Sequence, residues 1–414
     1  MITDCVRELV KDDDCTGCAG CSNACQRHAL ETVLSAEGFY RPVFSAELCC
    51  ECGACVKKCP VLAMRAHSAP PPHTTRTDCY AAWSNDRETH ALSSSGGVFS
   101  ELSKLVLEDG GTVFGCGWND NLEPEHMAVT SVAELARLRG SKYVPSSIGL
   151  SLARAAALAR GGARVLFSGT PCQVAALDRL LDAQARDQVT LIDMICHGVP
   201  SLALFSAYKG WLFRGETVSD FTFRDKSLCL QTIVARSPSG ATYRRRASDD
   251  PFFRLGYGNH LSLMKSCFAC RFAAAPRVAD ITLGDYWGVP KESEHPSGVS
   301  AVLVNTPAGG ELIGKLIASD AITLMPADLA DISRMNPRTT GGEWSLPSRR
   351  NEFLRDVARG HSFRWFYWRW YAPLRAKERV RDALLGSAVF WVRALKVKKV
   401  FCFFRVLRHA GNAH

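Results

Sequence analysis

The chain has 414 residues, of which 47% are apolar and 22% charged, with 18 cysteines and a formal net charge of +9. It is long enough for two or three domains with a sizeable core, which excludes a small disulfide-stapled secreted module, and its longest apolar stretches, such as 387–392, are far too short to span a bilayer. Residues 341–414 hold 16 of the 50 Lys+Arg and 5 of the 41 Asp+Glu, so the basic excess lies in the tail and the rest is nearly neutral. The first ten residues carry Asp4, Arg7 and Glu8 and no apolar h-region. Together with so many thiols, that leads to the expectation of a cytoplasmic protein.

The first informative stretch is a pair of cysteine runs. Cys15, Cys18, Cys21 and Cys25 form C-x2-C-x2-C-x3-C, and Cys49, Cys52, Cys55 and Cys59 repeat that spacing with Pro60 after them. This is the pattern of an α+β ferredoxin domain holding two [4Fe-4S] clusters, here over 1–65. Three thiolates on one loop reach three irons, and the fourth cysteine of each run serves the other cluster. The expected sets are Cys15, Cys18, Cys21 and Cys59, and Cys49, Cys52, Cys55 and Cys25. Structural zinc, which favours paired C-x2-C units with four ligands in all, fits two triple runs poorly. Cys50 beside Cys49 leaves open a one-residue swap of ligand.

Residues 66–78 are proline- and threonine-rich and read as a linker. A second body over 79–340 alternates helices and strands. Helices are expected over 96–108, 147–160 and 173–183, and strands over 112–115, 164–167 and 189–194. From Phe221 the pattern is more strand-like, with strands over 231–237, 241–246, 280–283 and 299–305. That order implies an α/β domain with a mixed, partly parallel sheet. No G-x-G-x-x-G follows a strand, so an ordinary dinucleotide site is not indicated.

Three loops have the chemistry of anion sites. Ser93, Ser94, Ser95, Gly96 and Gly97 precede an apolar helix, a turn that suits a phosphate or, equally, an ordinary serine cap. Gly140, Ser141, Lys142 and Tyr143 form a small polar loop with a cation. Ser168, Gly169, Thr170, Pro171, Cys172 and Gln173 leave the carboxyl end of a strand, where open α/β sheets bind ligands. Cys172, Cys196, Cys267 and Cys270 lie beside such loops. They suit a third [4Fe-4S] cluster, zinc, plain buried thiols, or a Cys172 nucleophile helped by His197.

Taken in order, SSSGG (93–97), GSKYV (140–144), GTPCQ (169–173), CHGVPS (196–201), FRDK (223–226), SCFAC (266–270) and GDYWG (284–288) resemble the β-subunit family of coenzyme F420 hydrogenases and dehydrogenases. The resemblance covers about 78–340. It implies an α/β flavin-binding domain with FAD held at Ser93, Ser94, Ser95, Gly96, Gly97, Ser141, Lys142 and Tyr143. Gly169, Thr170, Pro171 and Gln173 would lie near the flavin ring, and Cys172, Cys196, Cys267 and Cys270 would bind the third [4Fe-4S] cluster. The implied function is an iron–sulfur flavoprotein oxidoreductase. It would pass electrons between a hydride donor or acceptor (F420 or another), FAD and the clusters, and bacterial relatives sit among polysaccharide-synthesis genes. The alternative is a non-catalytic electron-transfer subunit that supplies a separate reductase. Either way the partner is a redox protein or a small-molecule donor or acceptor, and the sequence names no catalytic acid or base.

The tail, 341–414, is expected to be helical and basic. HSFRWFYWRWY at 361–371 and the basic aromatic stretch 388–407 suit the surface of an anionic membrane at the inner face of the cytoplasmic membrane. They suit packing on the protein's own body or on a partner protein as well. No nucleic-acid-binding module accompanies the charge.

Overall fold

The computed structural model describes residues 14–66 and 77–376. The chain forms thirteen strands among these residues. In the N-terminal module β1 (Leu30–Leu34) and β2 (Tyr40–Phe44) pair as an antiparallel hairpin, with short helices Gly20–Ala24, Ala54–Lys57 and Pro60–Ala66 beside it. The body holds β3 (Asp78–Ser84), β4 (Thr112–Trp118), β5 (Pro124–Val129), β6 (Val165–Ser168), β7 (Val189–Met194), β8 (Asp220–Asp225), β9 (Thr232–Arg236), β10 (Thr242–Arg246), β11 (Ile281–Asp285), β12 (Ser300–Val304) and β13 (Ile322–Ala327).

Eight of them make one mixed sheet in the order β13-β3-β12-β11-β7-β6-β4-β5. The neighbours β4, β6, β7 and β11 run parallel, and the flanking strands run antiparallel. The parallel centre follows from composition. Val165, Leu166 and Phe167 are each at most 1% exposed, as a strand covered on both faces must be. Alternation then divides the side chains. Phe114, Phe167 and Leu191 pack with helices Ser151–Arg160 and Pro171–Leu180 on one face. Val113, Leu166 and Ile192 pack with helices Val98–Glu108 and Pro307–Ala318 on the other. β8, β9 and β10 form a separate antiparallel sheet.

The α/β expectation with a mixed sheet therefore holds for the body, with shifted boundaries. The helix expected over 96–108 begins at Val98, because Gly97 stands in the left-handed region (φ +88°) as its N-cap. The helix expected over 147–160 begins at Ser151. The one expected over 173–183 runs Pro171–Leu180, with proline at its first turn. A separate turn, Ala183–Arg186, follows, and the Asp182 carboxylate caps it by accepting from the Ala185 amide at 2.9 Å. Strands β3, β5, β8 and β13 were not anticipated.

The described residues through His361 form a single compact unit, in which the N-terminal module packs on the body. Asn23 Nδ2 donates to Gly149 O at 2.9 Å, and Asn23 Oδ1 accepts from the Ala153 amide at 3.0 Å. The Cys15 carbonyl accepts from Arg41 Nη1 at 2.7 Å and from Ser266 Oγ at 3.1 Å. Lys58 Nζ donates to the Arg179 carbonyl and Arg179 Nη2 to the Lys57 carbonyl. Residues 341–361 likewise belong to the body, not to a separate tail: Trp344 N donates to Phe268 O at 3.1 Å and Arg350 Nε to Leu263 O at 2.8 Å.

The second unit begins at Ser362. Its helix Phe363–Phe366 continues as a wider π turn, Tyr367–Tyr371, with Trp368 exposed. No helix among the described residues is long and apolar enough to cross a membrane. The stretch 388–407 lies outside them.

The hairpin turn supplies a test of the seating. Gly38 has φ +83°, and a Cβ there would stand 2.3 Å from the Ala203 amide nitrogen. Its carbonyl accepts from Leu202 N at 2.9 Å. Gly38→Val combines left-handed strain with a backbone clash and is expected to cost about 2–4 kcal/mol. Limited proteolysis of the variant should release the N-terminal module from the body. A protease-resistant variant with unchanged denaturation would show that the turn does not hold the two together.

Candidate functional site

The structure gathers eleven of the twelve expected ligand cysteines into three groups and leaves Cys52 apart. Cys15, Cys18, Cys21 and Cys59 line one small cavity, and each of Cys18 and Cys21 feels the charges of the others. Cys55 has Cys25 and Cys49 as charge neighbours, while Cys52 is exposed and bonds with Cys50. Cys172, Cys196, Cys267 and Cys270 act on one another in the same way. They arrive from the start of helix Pro171–Leu180, the loop after β7, and one turn after Met264.

Burial raises these thiols. It brings Cys18 and Cys267 up to about 12 and Cys196 up to about 11, and holds Cys21 and Cys172 well above the usual value. Cys172 also feels Cys18, so the third group and the first are adjacent. Among the described residues, no three His, Cys, Asp or Glu side chains converge tightly enough to ligate one ion. The Cys172–His197 nucleophile pair does not form: Cys172 Sγ meets Thr170 Oγ1 at 3.2 Å and makes no hydrogen bond with His197. His197 is instead driven down to about 4, chiefly by burial and then by Arg338.

The third group forms part of the wall of a cavity of about 550 Å³. Ser93, Ser94, Ser95, Gly97, Ser141, Lys142, Tyr143, Gly169, Thr170, Pro171 and Gln173 line the same space. Gly96 does not, because it is pressed against the sheet, where its amide donates to Ser300 Oγ at 3.0 Å. Thr16 and Gly17, from the loop between Cys15 and Cys18, reach the cavity from the N-terminal module.

Four of the seven quoted motifs meet at Arg224. Its guanidinium donates to both Asp285 oxygens (2.6 and 2.9 Å), to Tyr143 Oη at 2.8 Å, to Ser94 O at 2.6 Å and to Leu230 O at 2.7 Å. One buried, bidentate cation thus ties four separate segments into a single wall. Lys226 donates to the His90, Ser95 and Ser297 carbonyls, and burial with Arg224 nearby lowers it to about 8.

Lys142 differs from its expected role. Its ammonium donates to Cys116 O and Arg139 O at 2.8 Å and to Leu138 O at 3.3 Å. All three protons are spent on carbonyls, so it shapes the loop and has none left for a phosphate. The cation available to an anion is Arg139, whose guanidinium makes one hydrogen bond among the described residues, Nε to Ser100 Oγ at 3.3 Å. It stands at the start of helix Val98–Glu108, beside the Ser94–Ser141 contact (Ser141 N to Ser94 Oγ, 2.8 Å) that joins the two loops. Sequence reasoning passed over it because Lys142 occupies the same short loop.

His126 was also missed, and no local pattern marks it. It stacks on Phe167, and its two ring nitrogens face Ser168 O (3.1 Å) and Ser146 Oγ (3.0 Å). Ser146 Oγ accepts from Gln173 Nε2 at 3.1 Å, and Gln173 Oε1 accepts from Thr170 N at 2.9 Å. This chain fixes the loop that carries Cys172 and fixes a neutral tautomer on His126, with the proton on the nitrogen facing Ser168 O. Burial lowers its pKa to about 4.

Two family models match this chain, and both describe the beta subunit of coenzyme F420 hydrogenase/dehydrogenase. The model of its N-terminal part matches residues 79–153. The model of its C-terminal part matches residues 162–330. The chain belongs to this family. The F subunit of F(420)H(2) dehydrogenase from Methanosarcina mazei is 26% identical over 196 residues, 45% of this chain and 54% of that protein. The chain thus matches about half the length of that relative. A chain of the xenon-derivatised F420-reducing [NiFe] hydrogenase complex from Methanosarcina barkeri aligns over 70% of this chain and 90% of its own length, with 18% identity and a TM-score of 0.45.

The His126 network predicts a pH effect. A histidine lowered from 6.5 to about 4 leaves stability whole above pH 6.5, and stability falls as pH drops towards 4, because only the unfolded chain takes up the proton. The full cost is about 3 kcal/mol. His126→Gln removes that titration, so the stability gap between wild type and variant should narrow from pH 7.5 to 5 in denaturant titrations. A gap that stays constant would place the proton elsewhere.

Proposed function

We propose that this chain is an FAD- and iron–sulfur-dependent oxidoreductase subunit that exchanges electrons between a two-electron hydride partner of the F420 type and one-electron centres. The observation that carries this is the central cavity. A set of four thiols lies on its wall, and the loop of a second set reaches it at Thr16 and Gly17. Membership of the family and the relatives' printed names support the F420 type of partner.

The donor sets fit [4Fe-4S] cores. Each thiolate of a cubane reaches a different iron, so four cysteines grouped more loosely than the ligands of one ion suit it. Thiols raised by burial need a positive core beside them to remain thiolates. The cavity fits a flavin: its volume is in the range of cofactor sites, and it offers Arg139, the start of an eleven-residue helix and the Ser94 hydroxyl to a diphosphate. A bound flavin supplies the exchange between a hydride and single electrons.

The chain's own groups do the rest. Arg139 and the helix Val98–Glu108 hold the diphosphate, the Arg224 knot keeps the serine turn and the Tyr143 loop in register, and the His126–Gln173 chain holds Cys172 in place. The Cys172 group lies next to Cys18 of the first ferredoxin group. That group shares segment 55–59 with the second, whose Cys52 is exposed towards a protein partner.

Anaerobically purified protein should carry about twelve iron and twelve sulfide, as three cubanes require, and one flavin per chain. Its flavin absorbance should bleach with reduced F420. About eight iron would remove the third centre, and clusters without flavin would favour a plain electron-transfer subunit.

Arg139→Ala should weaken flavin retention roughly ten- to hundred-fold, the loss of a desolvated charge-assisted bond worth about 1.5–3 kcal/mol. Flavin content after dilution and gel filtration measures it. A full complement in the variant would take Arg139 out of the site.

A further inference from the structure

Three buried arginines stand at the cavity, Arg338 in its wall and Arg224 and Arg277 outside the lining, and they differ in what neutralises them. Arg224 is paired bidentately with Asp285, and Arg277 Nη1 pairs with Asp193 at 3.3 Å. Arg338 is 1% exposed, and among the described residues no carboxylate pairs with it. Its Nη2 donates to Cys267 O at 2.8 Å, its Nη1 to Gly342 O at 2.6 Å and Phe268 O at 3.4 Å, and its Nε has no partner. Its guanidinium carbon lies 6.0 Å from the centre of the Trp344 ring. A buried guanidinium without a counter-charge is costly, and carbonyl dipoles offset only part of that. Thiols of the third set stand beside it: Nη2 holds the carbonyl of Cys267, and Arg338 acts electrostatically on both Cys196 and Cys267.

We infer that Arg338 is the counter-charge of the Cys172/Cys196/Cys267/Cys270 centre and raises its reduction potential. The inference rests on the proposed reading that this set binds a [4Fe-4S] core. Four thiolates outweigh the core's positive charge, so the centre is an anion and becomes more so when it takes up an electron. A fixed cation at its edge, in a water-poor interior, stabilises the reduced form more than the oxidised one. The centre beside the cavity is thereby poised to accept electrons, and Arg338 acts on it through its charge. Trp344 covers it, donating Nε1 to His197 O at 3.3 Å and lying 4.5 Å from the His260 ring, which keeps water from screening the charge.

The test is a dithionite titration of anaerobic holoprotein followed by paramagnetic resonance, with iron and sulfide measured on every sample. In Arg338→Gln one of the three centres should reduce at a lower potential while the other two stay in place. Arg338→Lys, which keeps the charge and loses the fork, should recover most of the shift. A glutamine variant with full iron and unmoved midpoints overturns the inference, as does a lysine variant shifted as far as the glutamine one. Should Arg338→Gln fail to fold, the lysine variant decides: full iron with a midpoint near wild type supports the inference, and lost iron or a lowered midpoint overturns it. Wild type with about eight iron removes the centre itself, and the functional reading falls with the inference.

Discussion

The Cys15–Cys21 loop lies against helix Pro171–Leu180, and the rest of the molecule depends on that contact. Cys18 and Ala19 are buried in the same core as Phe167, Ala176 and Leu177. Cys59 and Val61 pack with Ala175 and Phe272, with Cys172 and Cys270 at the edge of the same cluster. This burial turns two thiol groups from different parts of the chain into neighbours. It also brings Thr16 and Gly17 to the cavity and covers the Cys15 carbonyl with Ser266. The apolar contact is non-directional, and the hydrogen bonds of Asn23, Ser266 and Lys58 add the register.

Around the cavity, most of the positive charge is committed to the protein's own backbone. Lys142, Lys226 and Lys209 donate to carbonyls of loops that have no ladder partners, and Arg224 does the same while holding Asp285. Loops without regular pairing still need their buried carbonyls satisfied, and a long cationic side chain reaches several at once. The cations left without such full commitment are the informative ones. The Arg139 guanidinium has a hydroxyl as its one hydrogen-bonding partner among the described residues, and Arg338 retains an unmet proton in the interior.

The grouping of Cys15, Cys18 and Cys21 with Cys59 was legible because it follows from local spacing, which is written in sequence. The central strands were legible for a similar reason: VLF at 165–167 and the run 189–194 are apolar almost throughout. Edge strands were harder to see. β5 starts with Pro124 and alternates only loosely, and β13 has a proline inside it, which an edge position tolerates. The motifs pointed to the right segments but not to the reason they share a site, which is the five-bonded guanidinium of Arg224. Charge type was visible at Lys142, whereas the destination of its protons was not. The packing of the N-terminal module on the body was not visible, because linker composition reports the chain that joins two bodies and says nothing of the apolar area with which they meet.

The position of β3 in the large sheet bears on how the chain is made. β3 lies between β12 and β13 and pairs antiparallel with both. It emerges from the ribosome far ahead of either neighbour, with Cys79, Ala81, Ala82 and Ser84 destined for burial. Until synthesis passes residue 304 both edges of this strand are open, and one stays open until residue 327, a state that invites pairing with other chains. The nascent chain therefore carries an unpaired strand for most of its translation, a liability that ends only when β13 is made.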